Sequence, residues 1–473
     1  MSATGTPQIQ VAAPLPEAAR RRLQDVFPPS RLYLDPADCL SYGYDNSKRM
    51  ALPQAVVLAD RHEDVAAAVS VCHEFGLPLI ARGRGTNTTG ATVPIHGGVV
   101  VSLERMNHVL RCSPGDRLIE CEAGALNGDV QREAAKHGLF WAPDPTSLGY
   151  STVGGNLACG AGGPRAVKYG TARDNVLGLR AVGGTGRTLK TGCTTTKGVV
   201  GYDLTRLLVG SEGTLAVITE ATLRLLPRPQ QVRTLRACYA DVKCAAEAVA
   251  RIMAQPETPS ALEFMDGDAV QLAEHYRPTG IPRDVGALLM IEVDGAADTL
   301  PQAERAVAEA ARGAGLVELR AAASDAEAEA LWACRKALSP CLRQIAPKKV
   351  NEDVCVPVTR IPELIAGLQR LSKRHDIRIV SFGHAGNGNI HTNLLADPED
   401  PAQMRAAQSC LADVFRLVLE LEGTLSGEHG VGIEKRDYVG WEIAEDTLEA
   451  MRAIKRALDP RGILNPGKAL PGI

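Results

Sequence analysis

Apolar residues fall along this chain in two textures, and the change comes near residue 229. In the first part, short apolar runs read as strands: Ala55-Val56-Val57-Leu58, Leu77-Pro78-Leu79-Ile80-Ala81, Val99 to Leu103, Leu118 to Cys121, Leu177 to Val182, and Leu215-Ala216-Val217-Ile218-Thr219. Between the first two runs Val65, Ala68, Val69 and Cys72 recur at helical spacing, so 64–75 is expected to be the helix of a βαβ-like step. An earlier helical segment ends near Phe27-Pro28-Pro29, and Pro227-Arg228-Pro229 marks a boundary. Beyond it, strands at Leu288 to Val293 and Val354 to Val358 alternate with Ala-rich amphipathic helices at 241–254, 301–313, 324–338 and 404–421. That is the texture of an α+β domain. The tail, 458–468, is turn-rich.

One stretch of the second part carries chemistry. Residues 381–395 read SFGHAGNGNIHTNLL, two short apolar strands around a Gly/Asn turn. A hairpin centred on Asn387 and Gly388 makes His384 and His391 a directly opposed pair on one face, with Cβ atoms roughly 5 Å apart. Downstream, Gly427-Glu428-His429-Gly430 supplies a carboxylate and another imidazole on a turn. His384, His391 and Glu428 then form a metal site, with His429 left over. Such an N/O donor set accepts zinc, manganese or iron. By geometry alone it suits a hydrolase, with His429 as base, as well as it suits a structural metal. Asn387 either hydrogen-bonds a substrate, orients the imidazoles, or simply forms the turn.

Length and composition narrow the setting. A chain of 473 residues implies two or three domains. With 23% charged residues and a net charge of -3 it has no basic field for nucleic acid, which is not an expected partner. The N-terminus has no apolar h-region, and no run approaches the ~20 apolar residues of a membrane helix. The expectation is a cytoplasmic protein, with attachment to the inner face of a membrane left open. Twelve cysteines without a CxxC pair argue against a zinc ribbon or an iron-sulfur cluster, and Cys159 and Cys355 read as reduced, buried thiols.

Two glycine-rich loops remain: Arg82-Gly83-Arg84-Gly85-Thr86-Asn87-Thr88-Thr89-Gly90, directly after a strand, and 151–163. Both are free of acidic residues, and glycines let successive amide N–H groups converge on an anion. The Rossmann fingerprint fits neither, since GxGxxG at a strand-to-helix junction with a later acidic residue is missing. Tight turns alone are the plain alternative.

Arg82 to Gly90, Asp144-Pro145-Thr146, Ser151 to Gly163, Lys168-Tyr169-Gly170 and Gly210-Ser211-Glu212-Gly213-Thr214 together resemble the FAD-binding domain of the vanillyl-alcohol-oxidase superfamily. The C-terminal half resembles that of the FAD-linked D-2-hydroxy acid dehydrogenases: D-lactate dehydrogenase, the flavin subunit of glycolate oxidase, and D-2-hydroxyglutarate dehydrogenase. The resemblance runs in order from about residue 50 to the end. It implies an α+β protein with a two-subdomain FAD-binding domain and an α+β substrate cap built on an antiparallel sheet. The expected division is an N-terminal helical segment (1–49), the FAD domain (50–229), a substrate cap with the metal site (230–457), and a tail returning to the flavin (458–473).

It also implies that Arg82, Gly83, Arg84, Gly85, Thr86, Asn87 and Thr88, with Ser151, Thr152, Gly154, Gly155 and Asn156, wrap the FAD pyrophosphate. Pro143, Asp144, Thr146, Gly149, Gly160, Gly163, Tyr169, Glu212, Gly213, Ile218 and, in the tail, Asn465 would line the rest of the cofactor. Relatives that tether flavin use a histidine in the first loop; Thr86, Asn87 and Thr88 stand there, so noncovalent FAD is expected.

The implied reaction takes a D-2-hydroxy acid (D-lactate, glycolate or D-2-hydroxyglutarate class) to its 2-oxo acid. Electrons pass to an acceptor other than NAD: a quinone, a cytochrome or an electron-transfer flavoprotein. Such chemistry needs a carboxylate anchor, stabilisation of the developing alkoxide, and a base. A divalent metal, expected to be zinc with manganese or iron as alternatives, serves the second need on His384, His391 and Glu428. His429 is the expected base. Arg335 matches the family's substrate-binding arginine, and Lys349 stands near its second cation. A homodimer, or a subunit of an oxidase complex, is the implied assembly. Two rivals remain: a metal-dependent hydrolase, which leaves the glycine loops unexplained, and a non-catalytic flavin subunit.

Overall fold

A computed structural model describes residues 13–472 apart from 283, 343–345 and 347. The first 12 residues, on which the reading of the N-terminus partly rests, lie outside the described residues. No helix among the described residues is long and apolar enough to cross a membrane. The chain divides into two compact units. One gathers the residues through Ala161, Thr171–Arg228 and Glu428 onward; the other holds Gly162–Gly170 and Pro229–Gly427. Residues 428–457, read from sequence with the substrate cap, therefore group with the first unit.

In the first unit, β1 (Leu32–Tyr33), β2 (Ala55–Leu58), β3 (Leu79–Arg82) and β4 (Val99–Ser102) form a sheet in the order β1-β2-β4-β3. The last three are parallel, and every residue of β2 and β4 is buried, as a βαβ unit with helix α1 (His62–Phe75) requires. Gly76 ends α1 in the left-handed conformation and turns the chain into β3. A second, antiparallel sheet has the order β5 (Val109–Ser113), β6 (Leu118–Glu122), β9 (Ala216–Arg224), β7 (Val176–Gly183), β8 (Thr188–Gly192). One apolar cluster, including Val57, Val69, Val101, Ile119, Trp141 and Val217, spans both sheets.

The C-terminal tail is pinned inside this unit. Lys468 is 1% exposed, and its Nζ donates to Asn465 Oδ1 at 2.8 Å. Burial pulls the Lys468 ammonium down from 10.5 to about 7, although the Glu212 and Asp45 carboxylates oppose the fall. Between those two values the unfolded chain binds a proton that the folded chain does not, so stability rises with pH across the interval. Relative to Lys468→Met, the native protein is expected to gain on the order of 3 kcal/mol between pH 7 and pH 10. Urea unfolding at several pH values checks this, and a pH-independent difference would contradict it.

In the second unit, seven strands form one sheet: β10 (Gln231–Tyr239), β11 (Ala261–Asp266), β12 (Ala287–Gly295), β13 (Leu316–Ala321), β14 (Lys348–Cys355), β15 (Arg378–His384) and β16 (Asn389–Ala396), in the order β13-β10-β12-β11-β15-β16-β14. All its neighbours are antiparallel. Strand side chains alternate between faces. One set, including Leu262, Phe264, Leu289, Ile291, Ile390 and Leu394, is wholly buried. Helices α2 (Val242–Ala254), α3 (Ile361–His375) and α4 (Pro401–Glu420) lie against this sheet. The other set is split. Cys238, Met265, Met290, Val380, Phe382 and Leu395 pack under the helices Gly267–Tyr276 and Asp325–Cys341, and the remainder is polar.

Candidate active site

That polar remainder is the candidate site, and strand register explains it. Glu263 on β11 pairs across the ladder with His384 on β15; His384 pairs with Asn389 on β16; and His391, two residues on, pairs with Phe382 on one side and Asp353 of β14 on the other. Residues directly opposite or two apart share a face. Glu263, His384, Asn389, His391 and Asp353 therefore all project from the same side of the sheet, and all are buried.

The hairpin differs from its sequence-based form. His384 and His391 are diagonal neighbours, not a directly opposed pair, because the turn takes the four residues 385–388: a 3-10 turn at Ala385–Asn387, then Gly388. Gly388 has φ +74°, and a Cβ there would collide with the carbonyl of Val356. The register moves by two residues, a full period of the strand, so both imidazoles stay on one face. Their ring centroids are 5.1 Å apart with planes at 85°.

Glu428, peptide-bonded to the last residue of the second unit, completes the set. One ligand atom from each of His384, His391 and Glu428 lies within 4.8 Å of the others, the spacing of donors around a single cation. Two nitrogens and an oxygen suit a borderline divalent ion with open positions. The Gly427 N–H holds the turn to the sheet by donating to the Asp353 carbonyl at 2.8 Å. Ser426 Oγ donates to the Asp353 carboxylate at 3.2 Å.

Other expected residues are placed as follows. Arg335 is buried on Asp325–Cys341, its Nη2 2.8 Å from Glu263 Oε2 and its guanidinium carbon 4.7 Å from the Phe382 ring centre. Its Nε is buried without a hydrogen-bond partner among the described residues. Lys349 lies on the same strand and face as Asp353, four residues and roughly 13 Å away. Its Nζ donates to Ser339 Oγ at 2.7 Å. Asn387 is exposed at the turn tip, where its carbonyl accepts from Cys355 Sγ. Asn389 and Asn393 spend their amide N–H groups on strand carbonyls.

The glycine loops belong to the first unit apart from Gly162 and Gly163, which lie in the second unit with Tyr169. Arg82 lays its guanidinium against Gly85 of its own loop and donates from Nη1 to the Tyr44 carbonyl at 2.6 Å beside the Tyr42 and Tyr44 rings. Thr152 caps the helix Val153–Cys159, its Oγ1 accepting from the Gly155 N–H. A Cβ on Gly83 would strike that same hydroxyl, so the two loops are packed together through a glycine. Pro143 is buried and its carbonyl accepts from Asn127 Nδ2; Asp144 is half-buried; Thr146 and Gly149 are exposed; and Ile218 is in the apolar core. Tyr169, in the second unit, donates its hydroxyl to the Asp294 carboxylate at 2.9 Å; burial, helped by that carboxylate, pushes its pKa upward.

His429 stands on a turn held by these loops. Its carbonyl accepts from Asn87 Nδ2 at 3.0 Å, and the Glu212 carboxylate accepts from the N–H groups of Val431 and Gly432 at 2.6 and 2.8 Å. Burial raises the pKa of Glu212 against the pull of those bonds and of Lys468. Asn465 Nδ2 donates to the carbonyls of Ala91 and Glu212. His429 Nε2 lies 3.9 Å from Glu428 Oε1.

Known proteins resemble this chain in sequence and fold. Residues 228–469 match the family described as FAD linked oxidases, C-terminal domain, and residues 53–192 match the FAD binding domain. The glycolate oxidase subunit GlcD of Bacillus subtilis is 36% identical over 430 residues, covering 91% of this chain and 92% of that protein. The chain belongs to the FAD-linked oxidase family. A D-lactate dehydrogenase of Archaeoglobus fulgidus is 34% identical over 458 residues, covering 95% of this chain and 98% of its own. Among solved structures, an alkyldihydroxyacetonephosphate synthase (22% identical, TM-score 0.77, 97% of this chain and 87% of that one) and a p-cresol methylhydroxylase (15%, TM-score 0.77, 96% of each) share the fold. This FAD-linked oxidase is therefore an FAD-dependent oxidoreductase.

The residues of its first unit fit that cofactor. Thr88 Oγ1, Ser151 Oγ and Asn156 Nδ2, from the two packed glycine loops, are buried with no hydrogen-bond partner among the described residues. Buried polar atoms are rarely left so unless a ligand satisfies them. Two buried carboxylates of this FAD-linked oxidase's site, Glu263 and Asp353, escape sequence reasoning. Glu263 interrupts Ala261-Leu262-Glu263-Phe264-Met265, and a lone acid in an apolar run is the signal that points to it; Asp353 follows Asn351-Glu352 and carries no such signal.

Proposed function

We propose that this FAD-linked oxidase converts a D-2-hydroxy acid to the 2-oxo acid, with assistance from a divalent metal held by His384, His391 and Glu428. The observation that carries the reading is the donor triad within 4.8 Å on a face that also presents the half-satisfied guanidinium of Arg335 through Glu263. The names of the relatives, glycolate oxidase subunit and D-lactate dehydrogenase, support the substrate class.

Bound FAD would accept a hydride from the substrate Cα. A bound divalent ion would act as a Lewis acid toward the 2-hydroxyl. The chain supplies the rest. Arg335 pairs with the substrate carboxylate through the part of its fork that Glu263 leaves over. His429 Nε2 takes the hydroxyl proton, and the turn that carries it keeps its place through Asn87 and Glu212. Lys349 would meet a second, distal carboxylate on longer substrates. The flavin is noncovalent, and electrons leave to a quinone, a cytochrome or an electron-transfer flavoprotein. The compartment is the cytoplasm or the inner face of a membrane.

Anaerobic flavin reduction across D-lactate, glycolate, D-2-hydroxyglutarate and D-malate, with and without a chelator, tests the reading. At least one acid is expected to bleach the flavin, with the rate falling about tenfold or more after chelation. Bleaching by none would overturn the substrate class, and rates indifferent to chelation would overturn the metal.

A further inference from the structure

Glu263 sits on β11, the central strand of the seven, and is 0% exposed. A carboxylate there costs several kcal/mol unless cations and donors surround it. Its two oxygens are directed to different residues. Oε1 is 2.5 Å from His384 Nδ1, and Oε2 is 2.8 Å from Arg335 Nη2. Two independent features of the fold produce this. Ladder register sets Glu263 directly opposite His384, and the helix Asp325–Cys341 lowers Arg335 onto the same face over Phe382.

We infer that Glu263 is a positioning residue shared by the two halves of the proposed site. Its Oε1 accepts a hydrogen bond from the His384 Nδ1–H, which fixes the tautomer with the Nε2 lone pair free to serve as ligand. Its Oε2 holds the guanidinium of Arg335 at the height of the imidazoles, where a substrate carboxylate would be met. A simple structural ion pair would need only the Arg335 contact. The short second contact, to a ring nitrogen of a residue in the ligand triad, is what such a pair leaves unexplained. The inference rests on the metal reading above and adds a residue that neither binds metal nor touches substrate.

Glu263→Gln separates the possibilities, because an amide has one acceptor oxygen and one donor nitrogen and cannot serve both neighbours. Metal binding by the flavin-loaded protein is measured by titrating Zn2+ or Mn2+ against a competing chelator, and thermal melting and flavin content check that the variant folds. Metal affinity is expected to fall about 10–100-fold. At saturating metal, KM for the hydroxy acid should also rise by more than kcat falls. Arg335→Met serves as the second variant: it should raise KM yet leave metal affinity within about threefold, since the His384 contact survives. Wild-type metal affinity in Glu263→Gln would overturn the proposal while leaving the metal site standing. A native protein that takes up neither ion would instead overturn the metal reading beneath it.

Discussion

His391→Ala is expected to strip the protein of its metal while leaving its flavin in place. His391 is one of three donors, and a site reduced to one imidazole and one carboxylate holds a divalent ion weakly. Phe382 and Asp353 are the residues opposite His391, and the Asp353 carboxylate already accepts from Ser426 Oγ. Loss of Lewis-acid assistance amounts to several kcal/mol of transition-state stabilisation. Flavin reduction by the best hydroxy acid should therefore slow by about 10³-fold. The glycine loops, apart from Gly162 and Gly163, belong to the other unit, so the bound flavin and its visible spectrum should be unchanged. Elemental analysis together with stopped-flow reduction decides the matter. A variant that loses its metal but keeps its rate would remove the metal from the reaction.

His429→Gln should give the second large effect, of a different kind. The backbone of this turn is fastened by Asn87 to the His429 carbonyl and by Glu212 to the next two N–H groups, and none of these bonds uses the imidazole. The substitution therefore removes a proton acceptor without dislodging the turn. A positioned general base contributes about 10²–10⁴ in rate. The limiting rate of flavin reduction should fall in that range, with metal and FAD content at native levels and KM within about threefold. A rate that falls less than about fivefold would assign the base elsewhere.

Strand periodicity put His384 and His391 on one face, and that survived a wrong guess at the turn because the error was a whole strand period. The glycine loops announced an anionic ligand, and three of their polar atoms await one. Roles that depend on direction were less legible. The guanidinium of Arg82 looks toward Tyr44, and Asn465 cross-links two carbonyls inside its own unit. Glu212 grips the turn beyond His429, 219 and 220 positions away in the chain. No local pattern encodes contacts at that separation.

Loop chemistry and strand period by themselves pointed to loops for an anionic ligand and to two histidines on one face of a hairpin, and the resemblance of the motif blocks added the flavin, because each of those signals is written within a dozen or so residues. Which carboxylate supports His384, what Arg335 grips and where residues 428–457 belong were decided by the pairing of distant strands and the return of the chain. The physical reason is that a buried charge finds its partner through ladder register and helix placement, which the energy of the whole sheet fixes, and its neighbours in sequence point elsewhere.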